Sequence, residues 1–137
     1  MQWRNLIARL VAAGPWAGRF LSGLAVLFLL FDGIIKMLRL PVVLESFRQL
    51  GFPESVAAGI GAIELFCTLL YVIPRTSVLG AVLLTAIMGG AIASHLRLGD
   101  PLFTHVLFGS YLGLFIWGGL FLRDGRLRGI FPLRRKA

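Results

Sequence analysis

The sequence predicts an all-α protein: a four-helix transmembrane bundle with an N-terminal interfacial amphipathic helix and a short surface helix between spans one and two. Three observations predict it. The chain is 58% hydrophobic over 137 residues, with a mean hydropathy of +0.87, too apolar for an ordinary soluble domain. Four apolar runs of roughly 20 residues recur, each ~30 Å long as a helix, the thickness of the hydrocarbon core. Nine of the 14 Lys and Arg residues lie in the first 19 or last 15 positions, outside those runs.

The elements follow in order. In "WRNLIARLV", Trp3, Leu6, Ile7, Leu10 and Val11 share one helical face while Arg4, Asn5 and Arg9 lie elsewhere. That pattern predicts an interfacial helix, ended near Gly14-Pro15. The first span is expected over 20–38. "PVVLESFRQLGFP" starts with Pro41 and has Gly51 as its C-cap; Val43, Phe47 and Leu50 share a face, predicting a short helix lying on the membrane. The second span is expected over 55–73, with Pro53 and Ser55 at its start and Pro74 at its end. The third is expected over 77–96, and the tight turn Gly99-Asp100-Pro101 joins it to the fourth, over 102–122. Helices rather than strands follow from run length and the lack of alternating polarity. A continuous helix also satisfies every backbone polar group within lipid. The whole is expected to form a single integral membrane domain, closed by a basic tail over 123–137.

With four spans, both termini and the middle loop share one side. That side holds Arg4, Arg9, Arg19, Arg75, Arg123, Arg126, Arg128, Arg134, Arg135 and Lys136; the other holds Lys36, Arg39, Arg48 and Arg97. Ten cations against four predict both termini cytoplasmic, in a bacterial inner membrane, with the tail as an orientation and lipid anchor. The +8 net charge therefore addresses lipid headgroups rather than nucleic acid. No cleavable signal peptide is evident, and the first apolar run is read as a retained helix. The single cysteine, Cys67, sits in an apolar run. It permits no intrachain disulfide and no two-cysteine relay, and reads as a small core residue.

The charges inside the spans carry the functional signal. Asp32 and Lys36 lie four residues apart in the outer half of the first span, in register with Ser22, Ala25 and Leu29. On the second, Ala57, Gly61, Glu64, Thr68 and Tyr71 form a stripe of small and polar residues. His95, Arg97 and Asp100 close the third span, and His105 opens the fourth. A charge at the bilayer centre costs at least ~2.5–3.5 kcal/mol, so these groups should face the bundle and pair. Asp32 and Lys36 can pair along the helix, and Glu64 can reach Lys36, His95 or Arg97. The expectation is a buried polar cluster open to the outer face, either a ligand, ion or proton site or structural glue. His95 and His105 as axial haem ligands are disfavoured. A metal site from His95, Asp100 and His105 has no recognised spacing, so no metal is expected. The small-residue pairs Gly89/Ala93, Gly90/Ser94 and Gly109/Gly113 are expected to let helices approach or to mark an oligomer face.

"GIIKMLRL" with Gly33 and Lys36, "LGFP" at 50–53, "GAIEL" with Gly61 and Glu64, and "LGAVLLTAIMGGAIASHLRLGD" with His95 and Asp100 together resemble the DoxX-like membrane proteins, over roughly 20–122. The resemblance implies a four-helix transmembrane bundle and places Lys36, Glu64 and His95 at the family's polar positions. Asp32 and His105 have no counterpart in that pattern, so their place in the cluster rests on topology alone. Some members are membrane subunits of redox enzymes, including quinone-linked sulfur oxidation, and related four-helix proteins are assembly factors. The resemblance thus implies an accessory subunit of a redox system, with an oxidoreductase or other membrane-protein partner. Its outer cluster would bind a quinone-like or other small amphipathic molecule. The chain has no intrinsic cofactor motif, neither a cysteine pair nor a nucleotide fingerprint, and is not expected to be catalytic alone. A non-catalytic scaffold, with homo-oligomers among its forms, and a small proton-coupled transporter using Glu64 are the alternatives. Lys36 and Arg97 weigh against the cation site that a transporter needs.

Overall fold

The structure, a computed structural model, describes residues 2–130. It is a helical bundle with no strand among the described residues. Four helices are long and apolar enough to cross a membrane, over Ala12–Met37, Glu54–Val72, Ser77–Leu98 and Leu102–Arg123.

Helix α1 (Gln2–Met37) is a single helix of 36 residues with Pro15 inside it. The stop expected at Gly14-Pro15 is therefore corrected: the N-terminal segment continues into the first span without a break. Proline removes one N–H and crowds the carbonyl one turn back, but membrane helices tolerate that loss, and the apolar run on both sides sustains the helix. At 1.5 Å per residue α1 is about 54 Å long, so its first turns extend beyond the span. Trp3 and Leu6 are exposed there; the side chains of Ile7, Leu10 and Val11 lie outside the described set. The helix ends where Leu40 N–H reaches back to Ile35 O at 3.3 Å and Arg39 N–H to Lys36 O at 3.1 Å. This winding puts Arg39 in the left-handed region at φ 53°, a place usually given to glycine.

Helix α2 (Pro41–Gln49) is the surface helix, with Pro41 in its first turn and Val43 and Phe47 buried. Leu50, expected on the same face, is half-buried. Gly51 caps the helix at φ 77°, with Phe52 N–H bonded to Phe47 O at 2.8 Å. A 3₁₀ turn (Glu54–Val56) leads into α3 (Ala57–Val72), and α4 runs from Ser77 to Leu98. After Gly99, the fourth span opens with a wide π-type turn (Leu102–Val106) before α5 (Phe108–Arg123). A short α6 (Gly125–Ile130) forms the described part of the basic tail; residues 131–137 of the tail lie outside the described residues.

Helix α1 packs against α3 and α5, and α4 packs against the same two. The spans thus close a ring with α1 and α4 on opposite corners. Glycines set the closest crossings. A Cβ on Gly18 would fall 2.7 Å from Gly119 O, and one on Gly61 would fall 2.8 Å from Gly33 O. A Cβ on Gly80 would collide with the backbone of Tyr71. Small residues do bring these helices together, and Gly109, from the pairs expected in α4 and α5, is one of them: a Cβ there would fall 3.1 Å from Ile92 and 3.2 Å from the Met88 carbonyl of α4. A Cβ on Gly89, Gly90 or Gly113 would meet nothing within 4 Å.

The main core joins all four spans through Leu29, Tyr71, Leu84, Ile116 and Leu120. Only 22% to 33% of each span is buried within the chain. The apolar remainder, including Leu27, Phe31, Ile63, Phe66, Val82 and Leu114, is lipid-facing surface. A smaller cluster of Val43, Phe47 and Ala57, with Ile35, Leu44, Val56 and Ile60 against it, seats α2.

Candidate functional site

The apolar register of α1 turns Ser22, Ala25 and Leu29 inward as buried residues, with Asp32 and Lys36 half-buried on the same stripe. On α3 the predicted stripe of Ala57, Gly61, Glu64, Thr68 and Tyr71 is buried throughout, joined by Cys67. The Gly33–Gly61 crossing brings these stripes close enough for the charges to meet. Lys36 Nζ donates to Asp32 Oδ2 at 2.5 Å and to Glu64 Oε2 at 2.6 Å. Exposure falls from 27% at the Asp32 side chain to 17% at Lys36 and 0% at Glu64. Among the described residues Glu64 Oε1 has no hydrogen-bond partner. With every group ionised, two carboxylates face one ammonium, and the triad carries one excess negative charge.

Above this triad lies a cavity of about 760 Å³. Its walls are largely apolar: Phe28 and Ile35 of α1, Val43 and Phe47 of α2, Ile60 of α3, Ile87, Met88 and Ile92 of α4, and Phe108 and Leu112 of α5. Asp32, Lys36, His95, Asp100 and His105 also line it. Five of the seven predicted site residues thus border one space, and Glu64 supports it from behind through Lys36.

The expected reach of His95 or Arg97 to Glu64 is not what the chain does. The Gly99 turn folds Asp100 back, so that His95 Nδ1 pairs with Asp100 Oδ2 at 2.6 Å. His105 meets His95 edge-on, with ring centres 5.7 Å apart, and its Nδ1 bonds Thr104 Oγ1 at 2.8 Å. Arg97 leaves the cluster altogether: its Nη2 donates to Leu50 O at 2.6 Å. Among the described residues no group of three or more His, Cys, Asp or Glu side chains is placed to hold a metal ion.

Two features escaped the sequence reading. The first is the cavity itself. Gly90, Ala91 and Ser94 line it, so part of the small-residue pattern on α4 clears space rather than admitting a helix. The second lies at the other end of the bundle. Tyr71 OH donates to Ile116 O at 2.8 Å and bonds Ser22 Oγ at 2.7 Å. Arg123 Nε donates to Ser22 Oγ at 3.2 Å, with its guanidinium 5.3 Å from the Tyr71 ring centre. This network ties α1, α3 and α5 together where they are otherwise apolar. The available signals for it were Ser22 and Tyr71, each placed on an inward stripe of its helix.

The chemistry on offer is that of an apolar-walled chamber with few, well-held polar groups. Lys36 has three N–H donors, two of them committed to carboxylates. A histidine anchored by a carboxylate through Nδ1 keeps Nε2 for proton exchange. In comparison with known proteins, residues 20–119 match the profile of the DoxX-like family. No curated protein and no solved structure matches the chain.

Proposed function

The chain belongs to the DoxX-like family of membrane proteins, and from that premise we propose that it is an accessory membrane subunit of a redox system. It holds a quinone-like or other small amphipathic molecule in the cavity between α1, α2, α4 and α5. The observation that carries this reading is the 760 Å³ chamber, apolar in its walls and polar at Asp32, Lys36, His95, Asp100 and His105. Pockets for small ligands run from ~300 to 1,000 Å³ with a few convergent polar groups on apolar walls. Lys36 would direct its remaining N–H to an oxygen of the ligand head, held in place by Asp32 and Glu64. His95, oriented by Asp100, would take up or return a proton at Nε2. The apolar walls would align the ring and tail and exclude water. A bound quinone would supply the electron-carrying chemistry that the chain itself lacks.

The distribution of charge supports an orientation with both termini cytoplasmic and the cavity on the outer side of a bacterial inner membrane. Five of the six acids (Asp32, Glu45, Glu54, Glu64 and Asp100) belong to the cavity side, and ten of the 14 cations to the other.

A second reading has its own observation. The Lys36–Glu64 pair links α1 to α3 deep in the bundle, as a register-setting bridge in a scaffold or assembly protein would. Gentle purification from native membranes, with mass spectrometry of co-purifying species, a reduced-minus-oxidised spectrum and titration with a short-chain ubiquinone, separates the two. A bound oxidoreductase or saturable quinone binding supports the redox reading. A protein carrying only lipid, or immature membrane proteins, and no saturable quinone binding overturns it in favour of the scaffold.

A further inference from the structure

Helix α2 is the roof of the cavity: Val43, Phe47 and Leu50 line it from that side. Its attachment differs from that of the spans. It rests on a small apolar cluster apart from the main core, shared with Ile35 of α1 and Ala57 and Ile60 of α3, and both of its backbone connections pass through a single residue in the left-handed region, Arg39 at φ 53° and Gly51 at φ 77°. Gly51 adopts that conformation and its alternatives at little cost, whereas Arg39 is strained in it. Departure from the observed arrangement therefore relieves strain at one joint and meets little resistance at the other. Arg48 pairs with Glu45 inside α2 and with Glu54 at the first turn of the second span. Both pairs are exposed and therefore weak, and the second lies just past the Gly51 joint, so it tethers the roof near its pivot. Arg97 holds the roof from another helix: its bond to Leu50 O crosses from the end of α4 to the end of α2.

We propose that α2 is a gate over the cavity, pivoting at Arg39 and Gly51, and that Arg97 is the latch that holds it shut through the Leu50 carbonyl. The inference rests on the cavity being a ligand site. It adds the route by which a membrane-soluble ligand enters from the outer surface, and it gives Arg97 a role outside the polar cluster.

The test uses the full chain with Cys67→Ala, a single reporter Met88→Cys in the cavity lining, and a membrane-impermeant maleimide. Removing the latch by Arg97→Ala should raise the labelling rate at the reporter about tenfold or more, in keeping with the loss of one charge-assisted hydrogen bond. A control, Ser55→Cys on the exposed surface, should label at an unchanged rate. Equal reporter rates with and without Arg97, including no labelling in either, overturn the gate. Equal acceleration at Ser55→Cys does so too, because it indicates general loosening. Short-chain ubiquinone binding to the same proteins keeps the two ideas apart. Accelerated labelling without saturable binding preserves the gate and removes the quinone reading; saturable binding with unchanged labelling does the reverse.

Discussion

Lys36 on α1 and Glu64 on α3 meet at 2.6 Å, and the remaining oxygen of Glu64 is buried with no hydrogen-bond partner among the described residues. Lys36 also holds Asp32, so the pair is asymmetric: the ammonium has a second acid to fall back on, whereas Glu64 has no second base. Glu64→Gln keeps a hydrogen-bond acceptor for Lys36 and leaves the Asp32 pair intact. If the triad serves a ligand, this variant should fold in normal yield and lose short-chain ubiquinone binding or partner activity by tenfold or more. Low yield or a lowered melting temperature would assign the triad to structure. Normal stability with normal activity would remove both readings.

The same asymmetry predicts a different result for the base. Lys36→Met strands two carboxylates in the bundle, and breaking a buried pair in this way typically costs ~3–5 kcal/mol. The variant should therefore be far less stable than Glu64→Gln, by thermal unfolding in one detergent. Adding Glu64→Gln to Lys36→Met should recover part of the loss, because one stranded charge is removed. A double variant no better than Lys36→Met alone would contradict a direct coupling.

Glycines that look alike in the sequence should respond in opposite ways. A Cβ on Gly61 would lie 2.7 Å from Lys36 Cβ and 2.8 Å from Gly33 O, whereas one on Gly90 meets nothing within 4 Å. Gly61→Ala should push α1 from α3 and cost ~1–3 kcal/mol, the usual range for overpacking. Gly90→Ala should be neutral for stability. Gly90→Phe should fold and yet lose ligand binding, since Gly90 borders the cavity. Equal thermal stability of Gly61→Ala and Gly90→Ala would contradict the packing described.

Helix existence was legible because length and composition alone decide it in lipid. The inward stripes of α1 and α3 were legible because charge can face only the bundle. Which polar groups pair was less so. Helical spacing places Asp32 against Lys36, but the choice of Lys36 for Glu64 depends on a crossing at Gly33 and Gly61 that no local pattern announces. His95 and Arg97 went elsewhere because the turn at Gly99 and the end of α2 offered nearer partners. Pro15 misled for a related reason. Its lost N–H and its crowding of the carbonyl one turn back break helices more readily in water, where freed backbone groups gain solvent, than in lipid, where they do not. A cavity leaves almost no mark in one sequence, since Gly90 reads the same whether a helix or a ligand lies beside it.

Arg39 offers a test of strain independent of any ligand. A non-glycine residue at φ 53° carries a steric cost of ~1–2 kcal/mol, which glycine avoids. Glycine gives part of that back through the greater freedom of its unfolded chain. Arg39→Gly should therefore raise stability by up to ~1 kcal/mol, read as an increase in melting temperature, while Arg39→Ala should give no increase. Stabilisation by alanine as much as by glycine would show that the arginine side chain, not the backbone, is the source.

Tyr71 supplies the last prediction, at the opposite end of the bundle from the cavity. Its hydroxyl donates to Ile116 O and accepts from Ser22 Oγ, which in turn accepts from Arg123 Nε. Tyr71→Phe preserves the ring beneath the Arg123 guanidinium but leaves the Ile116 carbonyl and the Ser22 hydroxyl each short of a partner. Unmet buried polar groups cost ~1–3 kcal/mol, so the variant should unfold at a lower temperature. Ligand binding at the cavity should be unchanged, because none of the four residues of this network lines it. Ser22→Ala should be milder, since Tyr71 keeps its bond to Ile116 O, and the two changes together should cost less than their sum because they disrupt one network. Additive losses, or an effect of Tyr71→Phe on ligand affinity as large as that of Glu64→Gln, would mean that the two polar ends of the bundle are not the separate units that their hydrogen bonds describe.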